Sequence, residues 1–234
     1  MPSDRTPLVD VPTPTRRRGR TLSRVLLGLA AFLVVGNVAI FGASVWARHT
    51  SGVDGFTVPA EVAAIHNFEA VDDHLWRGGA PNRDAYEALA AAGVTTIIDL
   101  RAEDDLRVPH DLLDELGLTL VAIPMRDGQA PSPTQVARFM DAVAASEGPV
   151  YVHCGAGVGR TGTMVAAYRV TQGQSARTAV RANLAVGPPS LEQIAFAASL
   201  APGARAERPN AVVVALSRTL DAPRRGWKAL EGLL

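Results

Sequence analysis

The sequence is poor in the residues that hold disulfides and metal ions. It has one cysteine in 234 residues, so no disulfide can form within the chain and the fold does not depend on oxidation. Its five histidines are scattered at positions 49, 66, 74, 110 and 153, without the spacing of a metal site. Motifs that bind nucleotide-type cofactors are also absent. We therefore expect neither a metal nor a cofactor.

The chain as a whole also has no net charge, because a basic N-terminal part and a longer acidic part carry equal and opposite charges. Residues 1–50 contain seven arginines and two acidic residues, a net charge of +5. Residues 51–234 contain 16 basic and 21 acidic residues, a net charge of −5. The larger part of the chain does not have the basic composition of a nucleic-acid-binding domain, and no nucleic-acid partner is predicted.

One long apolar segment lies near the N-terminus. Residues 1–24 are rich in Pro, Thr and Arg without apolar periodicity, which predicts a disordered basic tail. In residues 25–47, the stretch Val25–Trp46 contains no charged residue. As a helix this stretch is about 33 Å long, enough to cross the hydrocarbon core of a bilayer. We predict a single transmembrane helix that attaches the protein to a membrane.

The flanks of this segment leave the topology open, and an inverted anchor that keeps the main domain in the cytoplasm is one alternative. Arginines cluster before it, and the positive-inside rule then places the tail in the cytoplasm and the rest of the chain outside. A cleaved signal peptide also begins with basic residues and continues into an apolar stretch, and "VWA" at 45–47 fits a cleavage site. The chain is thus expected to be a single-pass membrane protein with an extracytoplasmic main domain, or a secreted protein after cleavage.

The rest of the chain divides into a linker (48–65), a main domain (66–204) and a C-terminal helical extension (205–234). In the main domain, short β-branched apolar segments alternate with amphipathic ones. The predicted strands are residues 74–77, 94–100, 118–124 and 149–154. The predicted helices are residues 83–92, 111–116, a segment from a cap at Ser132 or Thr134 to 145, 161–170, 175–184 and 191–200. This alternation predicts an α/β domain with a central, mainly parallel sheet of four to five strands flanked by helices.

The one cysteine, Cys154, lies where a predicted strand ends, in "HCGAGVGRTG" (153–162). Three glycines allow successive backbone N–H groups to point into one concavity, and the N-terminus of the next helix adds partial positive charge. Arg160 offers a planar guanidinium that can bind two oxygens of a phosphoryl group. The same positive surroundings favour the thiolate of Cys154, which is then placed to attack phosphorus.

This segment resembles the signature loop of the cysteine-dependent protein tyrosine and dual-specificity phosphatases, which is Cys, five residues, Arg, then Ser or Thr. The resemblance implies that Cys154 is the nucleophile, that Arg160 binds the phosphoryl group, and that Thr161 assists the thiolate and its departure. It implies that His153 helps to order the loop. The phosphate-binding residues that it implies are Gly155, Ala156, Gly157, Val158, Gly159 and Arg160.

Two further stretches, "LWRGGAP" (75–81) and "IIDLR" (97–101), resemble the atypical dual-specificity phosphatases of bacteria, plants and fungi. The resemblance covers about residues 66–200, and it implies a dual-specificity phosphatase-like fold for the main domain. Arg77 and Arg101 in these stretches are candidates for orienting substrate or bracing loops, but structural salt bridges are the favoured interpretation.

The reaction also needs an acid that protonates the leaving group. The resemblance implies an aspartate on a mobile loop upstream of the cysteine. Asp127 lies in "IPMRDGQAPSP" (123–133), whose glycine and prolines are typical of a surface loop. We predict that Asp127 is the general acid and then the base that activates water. Asp99 ends a buried strand and fits a hydrogen-bonding role better, and the acidic run 103–105 fits a solvated turn.

The variable positions of the loop carry no cation, and the main domain is acidic. Both features favour a singly phosphorylated substrate. A protein phosphotyrosine is the first choice, and phosphoserine, phosphothreonine and small phosphomonoesters stay open. Three alternatives remain: an inositol phosphate or phosphoinositide phosphatase, a catalytically silent membrane-tethered module that binds phosphoproteins, and a rhodanese-like or arsenate-reducing thiol enzyme. The arsenate-reducing type is disfavoured because there is no second cysteine.

Overall fold

The main domain is built on a five-stranded sheet. The computed structural model describes residues 16–50, 58–102, 109–223 and 226, with side chains from residue 23 onward. The strands are β1 (Glu69–Ala70), β2 (Leu75–Gly78), β3 (Thr96–Arg101), β4 (Thr119–Met125) and β5 (Val150–His153). Their order is β1-β2-β5-β3-β4; β1 is antiparallel to β2, and the other neighbours are parallel. The predicted α/β class and mainly parallel sheet are confirmed.

Helices cover both faces of the sheet. They are α1 (Arg16–Thr50), α2 (Ala60–Ala63), α3 (Arg83–Ala91), α4 (His110–Glu115), α5 (Pro133–Ala145), α6 (Gly159–Thr171), α7 (Ala176–Val186), α8 (Leu191–Ser199) and α9 (Ala211–Leu220). Each helix predicted in the main domain is present, with ends within a few residues of the predicted ones. The short elements β1 and α2 were not predicted, because two to four residues carry no periodicity.

Side-chain oxygens set the starts of the helices. Asn82 caps α3 by accepting a hydrogen bond from the Ala85 N–H. Ser132, not Thr134, caps α5: its side chain accepts from the N–H of Gln135, and the Gln135 side chain accepts from the Ser132 N–H. This reciprocal pair decides between the two caps that the sequence left open.

Strand β5 lies in the centre of the sheet and is buried on both faces. Val150 and Val152 pack with α5 and α6, while Tyr151 points to the opposite face and packs with α3 and α4. Burying side chains of this size stabilises a fold by about 1.5–3 kcal/mol each. The loop that follows β5 therefore starts from a rigid point in the fold.

Helix α1 contains the predicted membrane span. An 18-residue window within Ser23–Thr50 has a mean hydropathy of 2.4, so this segment is long and apolar enough to cross a membrane or to be a signal sequence. The helix begins at Arg16, so it extends into the segment for which composition predicted disorder. Its last turns contact α7: Ser44 Oγ donates to the Leu184 carbonyl (2.6 Å), and Arg48 donates to the carbonyls of residues 185 and 186 (both 3.1 Å).

Candidate active site

The cysteine loop joins β5 to α6 at the carboxyl edge of the parallel strands. Cys154 directly follows β5 and is 3% exposed; Arg160, also 3% exposed, lies in the first turn of α6. The Nη2 atom of Arg160 lies 3.9 Å from the position that a Cβ would occupy at Gly155. Ligands of open α/β sheets bind at this edge. The structure thus brings the predicted nucleophile and the predicted phosphate-binding arginine to one loop.

Gly157 is needed both for the shape of the loop and for its packing. Its φ is +74°, a left-handed conformation that glycine adopts without strain. A Cβ there would lie 2.3 Å from the carbonyl carbon of Gly78 in β2. Any side chain at this position would push the loop away from the strand that supports it.

Five consecutive carbonyl groups of the loop, from residue 154 to residue 158, are hydrogen-bonded on its outer side. Their donors are His153 Nδ1 to Cys154 O (3.2 Å), the Ala80 N–H to Gly155 O (2.9 Å), Asn67 Nδ2 to Ala156 O (2.8 Å), Arg77 Nη2 to Gly157 O (2.6 Å) and the Gly162 N–H to Val158 O (3.0 Å). Because a trans peptide unit is planar, a carbonyl that points outward turns the next N–H inward.

The inner side of the loop therefore carries five N–H groups, those of residues 155–159. Within the described ranges, none of them donates to another residue. Unpaired N–H groups at the start of a helix, directed into one concavity, form a binding site for a tetrahedral anion. Phosphate binding by residues 155–160 stays a prediction.

Arg77 is the main brace behind the loop, and it is fully buried. Besides its bond to Gly157, its Nη2 lies 3.3 Å from Asn183 Oδ1, and its Nη1 lies 3.7 Å from Glu69 Oε2. Burial lowers the pKa of Arg77 below its ordinary value, and the charge of Glu69 counteracts part of this effect. Arg77 thus both contacts the loop and forms a salt bridge, which are two of the three roles that the sequence left open.

Asp127 lies beside Arg160, in the turn that follows β4. Its Oδ1 is 3.7 Å from Arg160 Nε, and its side chain is 39% exposed. Arg160 is also held by the end of β4, because its Nη1 donates to the Met125 carbonyl (3.2 Å). The structure thus places a carboxyl group at the mouth of the loop, partly open to solvent. This is the position that a proton donor to a leaving group requires.

Thr161 and His153 flank the loop inside the protein. Thr161 is fully buried in the first turn of α6, and its Oγ1 has no hydrogen-bond partner among the described residues. Assistance to the thiolate stays a prediction. His153 Nδ1 faces a carbonyl oxygen, which can only accept, so Nδ1 carries the proton. Burial lowers the pKa of His153 to about 4, so the ring is neutral at neutral pH.

Asp99 is engaged in the core and is unsuited to be the acid. Arg101 donates to both of its carboxylate oxygens, at 2.8–3.1 Å, and His153 Nδ1 lies 3.9 Å away. Burial by itself would raise the pKa of Asp99, but the hydrogen bonds from Arg101 outweigh it and the pKa lies below its ordinary value. The hydrogen-bonding role predicted for Asp99 agrees with these contacts. The acidic run 103–105 lies outside the described residues.

Two asparagines near the loop were missed by the sequence analysis. Asn67, which bonds to Ala156, has φ +55°, a conformation that asparagine tolerates better than most residues. Asn183 of α7 accepts from Arg77, and its Oδ1 would lie 1.7 Å from a Cβ at Gly162. Gly162 is therefore required by a contact with α7. Neither asparagine belongs to a motif that could have identified it.

Comparison with known proteins connects this site to a phosphatase family. The family model described as "DSP-PTPase phosphatase fused to NAD+ Kinase" matches residues 60–199. The chain is 37% identical over 101 residues to a rice protein named "Probable NAD kinase 2, chloroplastic", covering 41% of this chain and 10% of that protein. It is 38% identical over 101 residues to NAD kinase 2 of Arabidopsis thaliana, with the same coverage. The chain thus spans about a tenth of the length of these relatives.

Solved structures share the fold at low identity. The core catalytic domain of the PP-IP phosphatase SIW14 from S. cerevisiae superimposes with a TM-score of 0.54 at 18% identity, covering 61% of this chain and 88% of that one. PTPMT1 in complex with PI(5)P gives a TM-score of 0.51 at 19% identity, covering 56% of this chain and 92% of that one. At these identities the similarity concerns the fold alone. Among the described residues, no three His, Cys, Asp or Glu side chains group as metal ligands would.

Proposed function

Because the chain belongs to the DSP-PTPase family whose model matches residues 60–199, we propose that it hydrolyses phosphomonoesters through a phosphocysteine intermediate. One observation carries this proposal: the carbonyls of residues 154–158 are all hydrogen-bonded, while the N–H groups of residues 155–159, which lie between Cys154 and Arg160 in the chain, donate to no described residue. These donors do not reorganise when negative charge develops on a phosphoryl group, which is the source of their catalytic effect.

In the first step, the thiolate of Cys154 attacks phosphorus from the floor of the loop. A sulfur–phosphorus bond forms, and the bond from phosphorus to the leaving oxygen breaks with its electron pair on that oxygen. The carboxyl group of Asp127 gives its proton to this oxygen. The loop N–H groups and the guanidinium of Arg160 bind the three remaining phosphoryl oxygens.

In the second step, water replaces the leaving group. The Asp127 carboxylate takes a proton from the water as its oxygen bonds to phosphorus, and the sulfur–phosphorus bond breaks. Inorganic phosphate and the Cys154 thiolate are the products. We propose that Thr161, whose buried Oγ1 has no other partner among the described residues, donates to the sulfur as it leaves.

The substrate that we propose is a protein phosphotyrosine, with phosphoserine, phosphothreonine or a small phosphomonoester as further members of the same class. Gly155, Ala156, Val158 and Gly159 carry no cation, so the loop offers one guanidinium, that of Arg160, to one phosphate. A multiply phosphorylated substrate would gain more from several cations. This composition supports the proposal.

An inositol phosphate or phosphoinositide is the second candidate substrate. It is favoured by the fold shared with SIW14, described as a PP-IP phosphatase, and with PTPMT1, solved with PI(5)P. A catalytically silent module that binds phosphoproteins is another alternative. The intact loop, with Cys154, Arg160 and Thr161 all present, speaks against it.

We further propose that α1 anchors the protein as a single-pass helix with the catalytic domain outside the cytoplasm. The arginines before the helix support this orientation. In the secreted alternative, cleavage after Ala47 would remove the Ser44 contact with α7. Full insertion of residues 25–47 has a structural consequence of its own. Asn37 and Ser44, both inside that span, donate to the carbonyls of Leu220 in α9 and Leu184 in α7, and full insertion would break both contacts.

Phosphate release from matched substrates tests the proposal. Phosphotyrosine peptide, phosphothreonine peptide and inositol hexakisphosphate are compared for the full chain and for Cys154→Ser. We expect the highest kcat/KM with phosphotyrosine, retained in the presence of EDTA, and no turnover by the variant. Preference for the inositol phosphate would select the second candidate. Turnover that survives Cys154→Ser would overturn the mechanism.

A further inference from the structure

The segment that follows Asp127 is bonded to the first turn of α8. The backbone groups of three consecutive residues, 128 to 130, take part, and each bonds to a different side chain at the start of α8. The bonds are Ser190 Oγ to Gly128 O (2.7 Å), Gln193 Nε2 to Gln129 O (3.3 Å) and the Ala130 N–H to Glu192 Oε1 (2.9 Å). Three bonds to one helical turn leave this backbone little freedom next to the predicted acid.

The partners from α8 are buried, although all three are polar. Ser190, Glu192 and Gln193 are almost fully inaccessible, and Oε2 of Glu192 has no hydrogen-bond partner among the described residues. A carboxylate buried in this way is costly unless other groups compensate. The Ala130 N–H and the positive end of α8, where Glu192 lies in the first turn, are the compensation that the structure provides.

The same turn of α8 also packs on the phosphate-binding loop. A Cβ at Gly159 would lie 2.5 Å from Gln193 Oε1, so the amide of Gln193 lies directly over the start of α6. Gln193 thus contacts the acid segment through Gln129 and the phosphate-binding loop through Gly159. The first turn of α8 therefore contacts both segments.

Helix α9 supports this turn from behind. The Glu192 N–H donates to Ser217 Oγ (3.0 Å), and Ser217 is buried in α9. Helix α9 therefore supports the first turn of α8.

We propose that Ser190, Glu192 and Gln193 are positioning residues that hold the general acid Asp127 against the phosphate-binding loop. The resemblance to the phosphatases implies a mobile acid loop. In this protein, α8 holds the backbone next to Asp127 in the position for proton transfer, without a closing movement. The inference rests on the proposed function, because it assumes that Asp127 protonates the leaving group.

The test uses the dependence of rate on the leaving group, which a loss of folding alone does not change. The full chain is assayed with p-nitrophenyl phosphate, whose leaving group needs little protonation, and with phenyl phosphate, whose leaving group needs more. Asp127→Asn should slow phenyl phosphate by about a hundredfold, and p-nitrophenyl phosphate much less. Glu192→Ala should also slow phenyl phosphate selectively, but by only about tenfold, because Asp127 is then misplaced and not removed.

Three further variants separate positioning from structure. Glu192→Gln keeps an oxygen for the Ala130 N–H, so it should recover most of the phenyl phosphate activity. Ser190→Ala should reproduce the selective loss, whereas Ser175→Ala, the same change at the N-cap of α7, should not. In the Asp127→Asn background, Glu192→Ala should add no selective loss. If Glu192→Ala does not fold, the test is the comparison of the selective loss in Ser190→Ala with that in Ser175→Ala.

The outcomes distinguish the inference from the function. Equal slowing of both substrates by Glu192→Ala and Ser190→Ala, with a selective effect of Asp127→Asn, would overturn the inference and leave the proposed function standing. Equal slowing by Asp127→Asn itself would remove Asp127 as the acid and overturn both. Additive selective losses in the double variant would also overturn the inference.

Discussion

The Nη2 atom of Arg77 donates a 2.6 Å hydrogen bond to the carbonyl oxygen of Gly157, from the side of the loop opposite the anion site. In the proposed function, this buried guanidinium would act on phosphate binding without contact with the phosphate. It keeps one carbonyl turned outward, and so keeps the N–H of Val158 turned inward. The shape of the site thus depends on residues behind the loop as well as on the loop itself.

Replacing this brace should weaken anion binding. Arg77→Lys keeps the charge near Glu69, but an ammonium group cannot reproduce the planar geometry that reaches both Gly157 O and Asn183 Oδ1. We expect the inhibition constant for inorganic phosphate to rise about tenfold, which is about 1.4 kcal/mol. The control is Arg83→Lys, on the exposed surface of α3, where no change is expected. Unchanged phosphate inhibition in Arg77→Lys would contradict the bracing role.

The contact between Gly162 and Asn183 predicts a stability effect with a specific rescue. Gly162→Ala places a methyl group 1.7 Å from the present position of Asn183 Oδ1, and overpacking of this kind costs about 1–3 kcal/mol. Shortening the neighbour should recover part of that loss, so Gly162→Ala combined with Asn183→Ala should be more stable than the sum of the single changes. Chemical denaturation of the four proteins measures this coupling; strict additivity would refute the contact.

The buried, neutral His153 makes stability depend on pH. Its pKa is about 4 in the folded protein against 6.5 ordinarily, so between these values the unfolded chain binds the extra proton. Stability from this residue is therefore full above about pH 6.5 and decreases as the pH falls towards 4, by about 3 kcal/mol. His153→Gln should flatten the free energy of unfolding across this pH window in urea titrations. An equally steep dependence in the variant would assign the effect to other groups.

The junction of α1 and α7 predicts that the apolar helix stabilises the catalytic domain. Arg48 donates to the carbonyls of Ala185 and Val186, the last residues of α7, which otherwise lack helical partners. Arg48→Ala should lower the free energy of unfolding of the full chain in detergent by about 1 kcal/mol. Arg24→Ala, at an exposed position near the other end of α1, is the matched control and should have no effect. If the two variants unfold at equal midpoints, the contact between α1 and α7 does not contribute to the cooperative unfolding of the catalytic domain.

The sequence by itself determined the α/β class and the order of the main elements, and it predicted the residues of the site. Periodicity and capping residues are local signals, so β3, β4 and β5 and the helices after Asn82 and Ser132 were predictable to within a few residues. The cysteine loop is contiguous, so its glycines and Arg160 could be read together. Asp127 was predicted from the resemblance, from the composition of its loop and from the need for an acid, and the structure places it beside Arg160.

Only the tertiary structure decided what holds these residues in place. Asn67 reaches Ala156 across 89 residues of sequence, Arg77 reaches Gly157 across 80, and Glu192 reaches Ala130 across 62. No local periodicity encodes such pairs, because each depends on how the sheet orders its strands and on where α8 packs. Single polar residues outside motifs acquire their roles only when the folded backbone brings an unpaired N–H or carbonyl within hydrogen-bonding distance of them, and a buried group of that kind must be paired.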